Sequence, residues 1–466
     1  MKRGFLLTLV GMTALAAVGT GCAYTAAALF GGIGGAPQAA LAVAVNPALI
    51  KHGQYVATAG DCDACHTAPG GDRFAGGVAI ATPVGTVYAT NITPDDTTGI
   101  GHYSYGDFER AVRRGIRPDG SSLYPAMPFP SYARINDEDL QALFAYIRFS
   151  VPAVEHLDRP TSIAWPMSAR WPLTYWRWLF APQVRANTFS AVNDPLRSRG
   201  AYLVESLGHC GACHTPRAFT LQEKALTDAD GPAYLAGAVV DNYVANDLRG
   251  DVVTGLGSWS ESDIVTFLQT GRNAQAAAFG GMSDVIQHST QYMVADDLGA
   301  IAHYLKTLSA HRSDQFIHSA ASGAALAAGD VSARGALDYL NNCAACHLSS
   351  GRGYSSTFPA LADNPVVNAP DPASLISIVL RGAAEPATGS VPTRFTMPSF
   401  ADRLDDQEIA DVLSFLRSHW GNHAPGVVPG AVAKIRVMVN IQATAYRAGD
   451  VEVGSAGARA TPPATR

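Results

Sequence analysis

An all-α chain of three tandem small helical bundles is the fold class this sequence predicts, on three observations. The run Cys-x-x-Cys-His occurs three times, at 62–66, 210–214 and 343–347, at nearly even intervals along 466 residues. Each copy follows a glycine-containing apolar segment: Gly53-Gln54-Tyr55-Val56, Gly200-Ala201-Tyr202-Leu203 and Gly335-Ala336-Leu337. Each is followed later by an apolar stripe: Leu140, Leu143, Tyr146 and Ile147; Leu298, Ile301, Tyr304 and Leu305; Ile409, Val412, Phe415 and Leu416. Offsets of 0, +3, +6 and +7 put each set on one face of a helix. A chain of this length accommodates about three ordinary domains.

The motif names its chemistry. Two thiols at this spacing each form a thioether with a haem vinyl group, and the following histidine then lies under the iron. Zinc sites and redox dithiols need no histidine at that place, and the three copies use all but one of the seven cysteines. The residues therefore predict three haem c groups, attached through Cys62, Cys65, Cys210, Cys213, Cys343 and Cys346. The iron ligands on that side are His66, His214 and His347. The fold class becomes three tandem cytochrome c domains, each a small helical bundle around one covalent haem.

Within each unit the elements follow in order. The glycine segment forms the first helix, where a missing side chain lets an aromatic of the last helix approach closely. Tyr146, Tyr304 and Phe415 are expected to be those aromatics and to serve core packing. Acidic residues precede each stripe, at Asp137-Glu138-Asp139, Asp296-Asp297 and Asp405-Asp406, where they suit the positive end of a helix dipole. Between motif and last helix, Asn91 with Thr98-Gly99-Ile100-Gly101-His102-Tyr103-Ser104 matches Asn246 with Thr254-Gly255-Leu256-Gly257-Ser258-Trp259-Ser260. These glycine-rich runs read as loops around the haem edge. The third unit has Phe358-Pro359-Ala360-Leu361-Ala362 instead.

A haem that carries electrons needs a second axial ligand. Methionine favours the ferrous state and raises the potential. Met127, in Tyr124-Pro125-Ala126-Met127-Pro128, and Met397, in Phe395-Thr396-Met397-Pro398, stand on proline-framed segments before the last helix of their units. In the second unit Met282 and Met293 both qualify. Met293 stands next to the helix start, so Met282 is preferred.

Apolar residues make up 47% of the chain and charged residues 15%, and the net charge is −6. No basic patch points to nucleic acid. Residues 1–42 open with Met1-Lys2-Arg3 and an apolar run, and read as a cleaved export signal ending near Ala40-Leu41-Ala42. Two alternatives stand beside it. The uncharged stretch from Phe5 to Phe30 is long enough to span a bilayer, and Cys22 is the cysteine left over for lipidation.

The expected division is then 45–152 for the first domain, 195–309 for the second and 329–421 for the third. A connector at 153–194 carries Trp165, Trp171, Trp176 and Trp178 among prolines, and is too aromatic for a floppy linker; it packs between domains or offers a surface to a partner or lipid. A plainer linker covers 310–328. The extension 422–466 includes a segment from Lys434 to Thr444 whose alternation of Ile435, Val437, Val439 and Ile441 reads as a strand or docking segment, and it ends in disorder from Gly449.

Together with Asn91-Ile92-Thr93-Pro94-Asp95, Leu123-Tyr124-Pro125-Ala126-Met127-Pro128 and Gly281-Met282-Ser283-Asp284, the motifs make residues 45–420 resemble the three-haem cytochrome c subunit of periplasmic, membrane-bound dehydrogenases for alcohols, gluconate, sorbitol or aldehydes. The resemblance implies a catalytic partner subunit that is a quinoprotein, flavoprotein or molybdoprotein. It implies electron delivery to membrane ubiquinone or a terminal oxidase, at the periplasmic side of the inner membrane. The chain alone is expected to oxidise no substrate. The alternative is a self-contained multihaem enzyme, such as a peroxidase or thiosulfate-oxidising cytochrome, which requires an open axial position or a catalytic acid or base.

Overall fold

A computed structural model describes residues 44–184, 193–311 and 321–440. The expected signal segment with Cys22, and the chain beyond residue 440, lie outside the described residues. The described chain divides at 187/188 into two compact units, with 58–64 grouped with the second. The first unit contains α1 (Pro47–Ala59), α2 (Tyr105–Arg114), α3 (Asp137–Phe149) and α4 (Trp171–Phe180). The second contains α5 (Pro195–Tyr202), α6 (Glu261–Thr270), α7 (Gly281–His288) and α8 (Ala295–Thr307), followed by α9 (Ala336–Asn342), α10 (Ala373–Arg381) and α11 (Asp406–Ser418).

All twelve residues of the three apolar stripes are buried, on α3, α8 and α11. The glycines explain how the helices meet. A Cβ on Gly53 would lie 1.9 Å from the Ala142 carbonyl oxygen and 2.7 Å from Tyr146 Cβ. On Gly200 it would lie 2.0 Å from the Ala300 oxygen and 2.6 Å from Tyr304 Cβ. First and last helix therefore touch backbone to backbone beneath an aromatic, as the sequence implies. The third copy departs from this. Gly335 caps α9 in the left-handed region and meets the Asp411 backbone, while Phe415 packs on Tyr339 at 5.7 Å between ring centroids.

Polar side-chain pairs tie the same helices. The residue before the glycine meets the acidic residue before the stripe: His52 Nε2 lies 2.6 Å from Asp139 Oδ1, and the Arg199 guanidinium makes two 2.7 Å hydrogen bonds to Asp297. Ser104 and Ser260, the last residues of the matched loop runs, form capping boxes with Asp107 and Asp263 at the starts of α2 and α6.

Two expectations need correction. Helices dominate, but small sheets are added to them. β1 (Ala79–Thr82) and β2 (Gly85–Tyr88) form a hairpin extended by β3 (Ser162–Ile163). The second unit has β4 (Ala238–Val240) with β5 (Tyr243–Ala245), and β6 (Ala383–Ala384) with β7 (Thr396–Met397). Short runs rich in Val, Thr and Tyr suit these hairpins and are too brief to register as strands by alternation. Residues 429–440, read in part as a strand, are helical (α12). Val432 and Ile435 are buried against the core of the last motif unit, with Val439 packed beside them, whereas Val437 is exposed. That is helical spacing, and the alternation was incidental.

The tryptophan-rich segment is folded onto the first unit. Its β3 pairs with β2, Trp176 packs on Phe129 at 6.2 Å, and Arg177 Nε donates to Ser122 Oγ at 3.2 Å. Arg170 lies over the Tyr124 ring at 4.8 Å. The opposite face of α4 exposes Trp171, Trp178 and Leu179.

The helix contact yields a paired prediction. Gly200→Ala should destabilise the protein by about 1–3 kcal/mol, the cost of overpacking a closed contact. Gly299→Ala, on α8 with nothing within 4 Å of the new methyl, should be neutral or stabilising. Thermal unfolding of the two haem-loaded variants checks both.

Candidate haem-attachment segments

Each Cys-x-x-Cys-His run forms a short helical turn that sets its side chains: Cys62–His66, Gly211–His214 with Cys210 at its start, and Ala344–His347 with Cys343 at its start. The first cysteine of each pair is half-buried and the second exposed, and none of the six forms a disulfide. Burial pushes the Cys210 and Cys343 thiols up to about 12. Among the described residues no group of three or more His, Cys, Asp or Glu is placed to hold a metal ion.

The three histidines share one arrangement. His66 Nδ1 hydrogen-bonds the Thr90 carbonyl at 2.7 Å, His214 Nδ1 that of Asn246 at 2.6 Å, and His347 Nδ1 that of Pro359 at 2.9 Å. A carbonyl only accepts, so Nδ1 carries the proton and Nε2 keeps its lone pair for iron. Such a bond fixes the ring orientation and makes the ligand more basic. Burial lowers the pKa of all three imidazoles, which keeps them neutral.

The carbonyls are held by the loops the sequence singled out. Asn91 and Thr93 are buried. Asn91 Oδ1 accepts from the Thr93 N–H at 2.9 Å, and its amide donates to the Val154 carbonyl at 2.8 Å and Thr98 Oγ1 at 3.0 Å. The Gly99 and Gly101 N–H groups both reach the Asp95 carbonyl. The second loop repeats this, with a shift in the expected match. Gly255 and Gly257 bond the Asp251 carbonyl, and Arg249 N–H donates to Asp247 Oδ1 at 2.6 Å. Asp247, not Asn246, is the counterpart of Asn91; Asn246 corresponds to Thr90 and supplies the histidine's carbonyl. Matching by residue identity misaligned the loops by one position, because the backbone carbonyl at Thr90 and Asn246 makes no demand on the side chain.

Met127, Met282 and Met397 are half-buried. Met127 follows a turn, its N–H donating to the Tyr124 carbonyl at 3.2 Å. Met282 is on α7, and Met397 is in β7 opposite Ala383. Met293 is buried, with its N–H bonded to the Thr290 carbonyl. Ser283, beside Met282, donates to the Ala384 carbonyl at 3.4 Å, so the Met282 and Met397 segments lie against each other. Two residues at this contact, Arg272 and Glu385, carried no sequence signal: they are lone charges in unremarkable loops.

The residues fit covalent haem. Thiol pairs outside any disulfide stand next to imidazoles with Nε2 available, and the buried indole N–H of Trp259 has no acceptor among the described residues, as suits a neighbour of haem carboxylates. A family model described as cytochrome c matches residues 332–420. The gluconate 2-dehydrogenase cytochrome c subunit of Pantoea cypripedii is 51% identical over 404 residues, covering 85% of this chain and 92% of the relative. The chain belongs to the family of dehydrogenase cytochrome c subunits. The cytochrome c subunit of the quinone alcohol dehydrogenase of Gluconobacter oxydans is 48% identical over 402 residues, covering 85% of this chain and 84% of the relative. The fructose dehydrogenase cytochrome subunit of Gluconobacter japonicus is 36% identical over 409 residues, covering 83% and 82%.

Asn91→Ala would leave the buried Thr93 N–H and Val154 carbonyl without this partner. It should cost about 1–3 kcal/mol, read as a lower thermal midpoint of the haem-loaded protein.

Proposed function

We propose that this chain is the electron-transfer subunit of a periplasmic dehydrogenase complex, built as three tandem cytochrome c domains with three covalent haems. It passes electrons from a catalytic partner, oxidising an alcohol, gluconate, sorbitol or an aldehyde, to membrane ubiquinone or a terminal oxidase. The observation that carries the reading is the threefold histidine arrangement, with Nδ1 tied to a carbonyl and Nε2 left free beside a thiol pair. Haem c bound at such a site accepts and releases single electrons.

The chain's own residues supply attachment, orientation and tuning. Cys62 with Cys65, Cys210 with Cys213, and Cys343 with Cys346 would hold the three groups covalently. His66, His214 and His347 would ligate from one side, each locked in one tautomer by its loop. Met127, Met282 and Met397 would ligate from the other, and sulfur there favours the reduced state. Full ligation leaves no open position for substrate, so the oxidation itself belongs to the partner. Helix α4 packs through Trp176 on the Tyr124–Phe129 stretch that includes Met127, and its other face, with Trp171, Trp178 and Leu179 exposed, supports docking of a partner or membrane there. Among the described residues no helix is long and apolar enough to cross a membrane. Residues 1–42 serve as a cleaved export signal, the alternatives being a membrane anchor at Phe5 to Phe30 or lipidation at Cys22.

Single replacement of Met127, Met282 or Met397 by alanine should each remove one sulfur-to-iron charge-transfer contribution at the red edge of the oxidised spectrum. Each should also lower one of three midpoint potentials. If Met282→Ala changes nothing while Met293→Ala shifts one potential, the second ligand is Met293. Substrate-driven reduction of the isolated, fully haem-loaded subunit would overturn the electron-transfer reading.

A further inference from the structure

Arg272 stands at a junction that the ligand set does not explain. It follows Gly271, the left-handed C-cap of α6 at φ 80°. The next residues fold into a tight turn: the Gln275 and Ala276 N–H groups donate to Asn273 Oδ1 at 2.8 and 2.9 Å, and the Ala278 N–H donates to the Gly271 carbonyl at 2.7 Å. Gly271 also sits so tightly on Pro386 that a Cβ would lie 2.2 Å from Pro386 Cγ. The base of the arginine is therefore fixed.

From this turn the side chain reaches the ribbon that carries Met397. Nη1 donates to Glu385 Oε2 at 2.6 Å, and Nη2 donates to the Thr393 carbonyl at 3.0 Å. The guanidinium carbon lies 5.0 Å from the centre of the Phe395 ring. Glu385 and Phe395 belong to one ladder: the Glu385 N–H donates to the Phe395 carbonyl at 3.0 Å, and the next rungs pair Ala384 with Thr396 and Ala383 with Met397. One planar fork thus grips both strands of the ribbon, just before the methionine. The ribbon is also held at Gly389, whose N–H donates to Gln291 Oε1 at 3.0 Å.

Both charges are buried, Arg272 at 7% and Glu385 at 8% exposure. Taking two charges out of water is costly, and apolar residues of similar volume commonly hold such a contact as well. A guanidinium adds direction, since its donors fit only one placement of their acceptors. We propose that Arg272 is a positioning residue that fixes the Met397 ribbon, so that the chain around the second Cys-x-x-Cys-His motif controls the sulfur ligation of iron at the third. The inference rests on the reading of Met397 as that ligand.

The test uses the full haem-loaded chain. Arg272→Met should fold, keep two of the three charge-transfer contributions and weaken the one that Met397→Ala abolishes. Added imidazole should reach the ferric iron of that site about tenfold faster, as the ligated arrangement loses its preference over the open one. A merely structural arginine would lower the thermal midpoint and leave these readouts unmoved. Glu385→Gln should move the same site in the same direction, and it carries the test if Arg272→Met does not fold. Arg272→Lys, which keeps the charge and loses the planar fork, should rescue poorly. A wild-type band and wild-type imidazole rates in the arginine and glutamate variants, with the band lost in Met397→Ala, would overturn the proposal and leave the ligand intact. No loss in Met397→Ala would overturn the ligand reading and the proposal with it.

Discussion

The hydrogen bond from a histidine Nδ1 to a backbone carbonyl is the constraint on which the rest of the structure depends. An imidazole one residue after a thiol pair is held only by the short helical turn behind it, and that turn does not choose which ring nitrogen carries the proton. A carbonyl at 2.6–2.9 Å makes the choice. The surroundings follow from the need to hold that carbonyl still. In the first unit the buried Asn91 and Thr93, anchored to Val154, hold the chain at Thr90. In the second, Asp247 Oδ1 accepts from the Arg249 N–H, and the buried Arg249 guanidinium pairs with Asp228 and reaches the Tyr234 and Ser309 carbonyls. In the third, Pro359 supplies the carbonyl from a stretch with a different sequence.

The helices serve the same end at longer range. In the first two repeats, helix pairs are pressed together at a glycine, with Tyr146 or Tyr304 buried at the contact. The conserved element across the molecule is thus a geometry, and its chemistry varies. An amide knot, an ion-paired loop and a proline-bearing stretch reach the same hydrogen bond, as expected when only a backbone oxygen is required.

Much of this was legible in the sequence because the chemistry needs particular side chains at fixed spacing. The three motifs, the buried stripes on α3, α8 and α11 and the close-approach glycines of the first two repeats could be read because a thioether, a helical face and a backbone contact each restrict residue type. Features set by backbone atoms were harder to see. The one-position shift between Asn91 and Asp247 escaped matching by identity, and the hairpins are too short for a period to show. The segment from Lys434, of which the described part to residue 440 is helical, read as a strand or docking segment because Val437, which points to solvent, fell between two apolar neighbours. Arg272 and Glu385 left no trace, since a pair 113 residues apart becomes a pair only when the fold brings it together.

The central claim is that all three thiol pairs, each beside its carbonyl-locked histidine, carry haem. Peptide mass mapping of the mature, exported protein tests it most directly. The account predicts three haem-bearing peptides, each with two thioethers, at Cys62 and Cys65, Cys210 and Cys213, and Cys343 and Cys346. Recovery of any of these pairs as free thiols or as a disulfide, from a fully matured preparation, would contradict it.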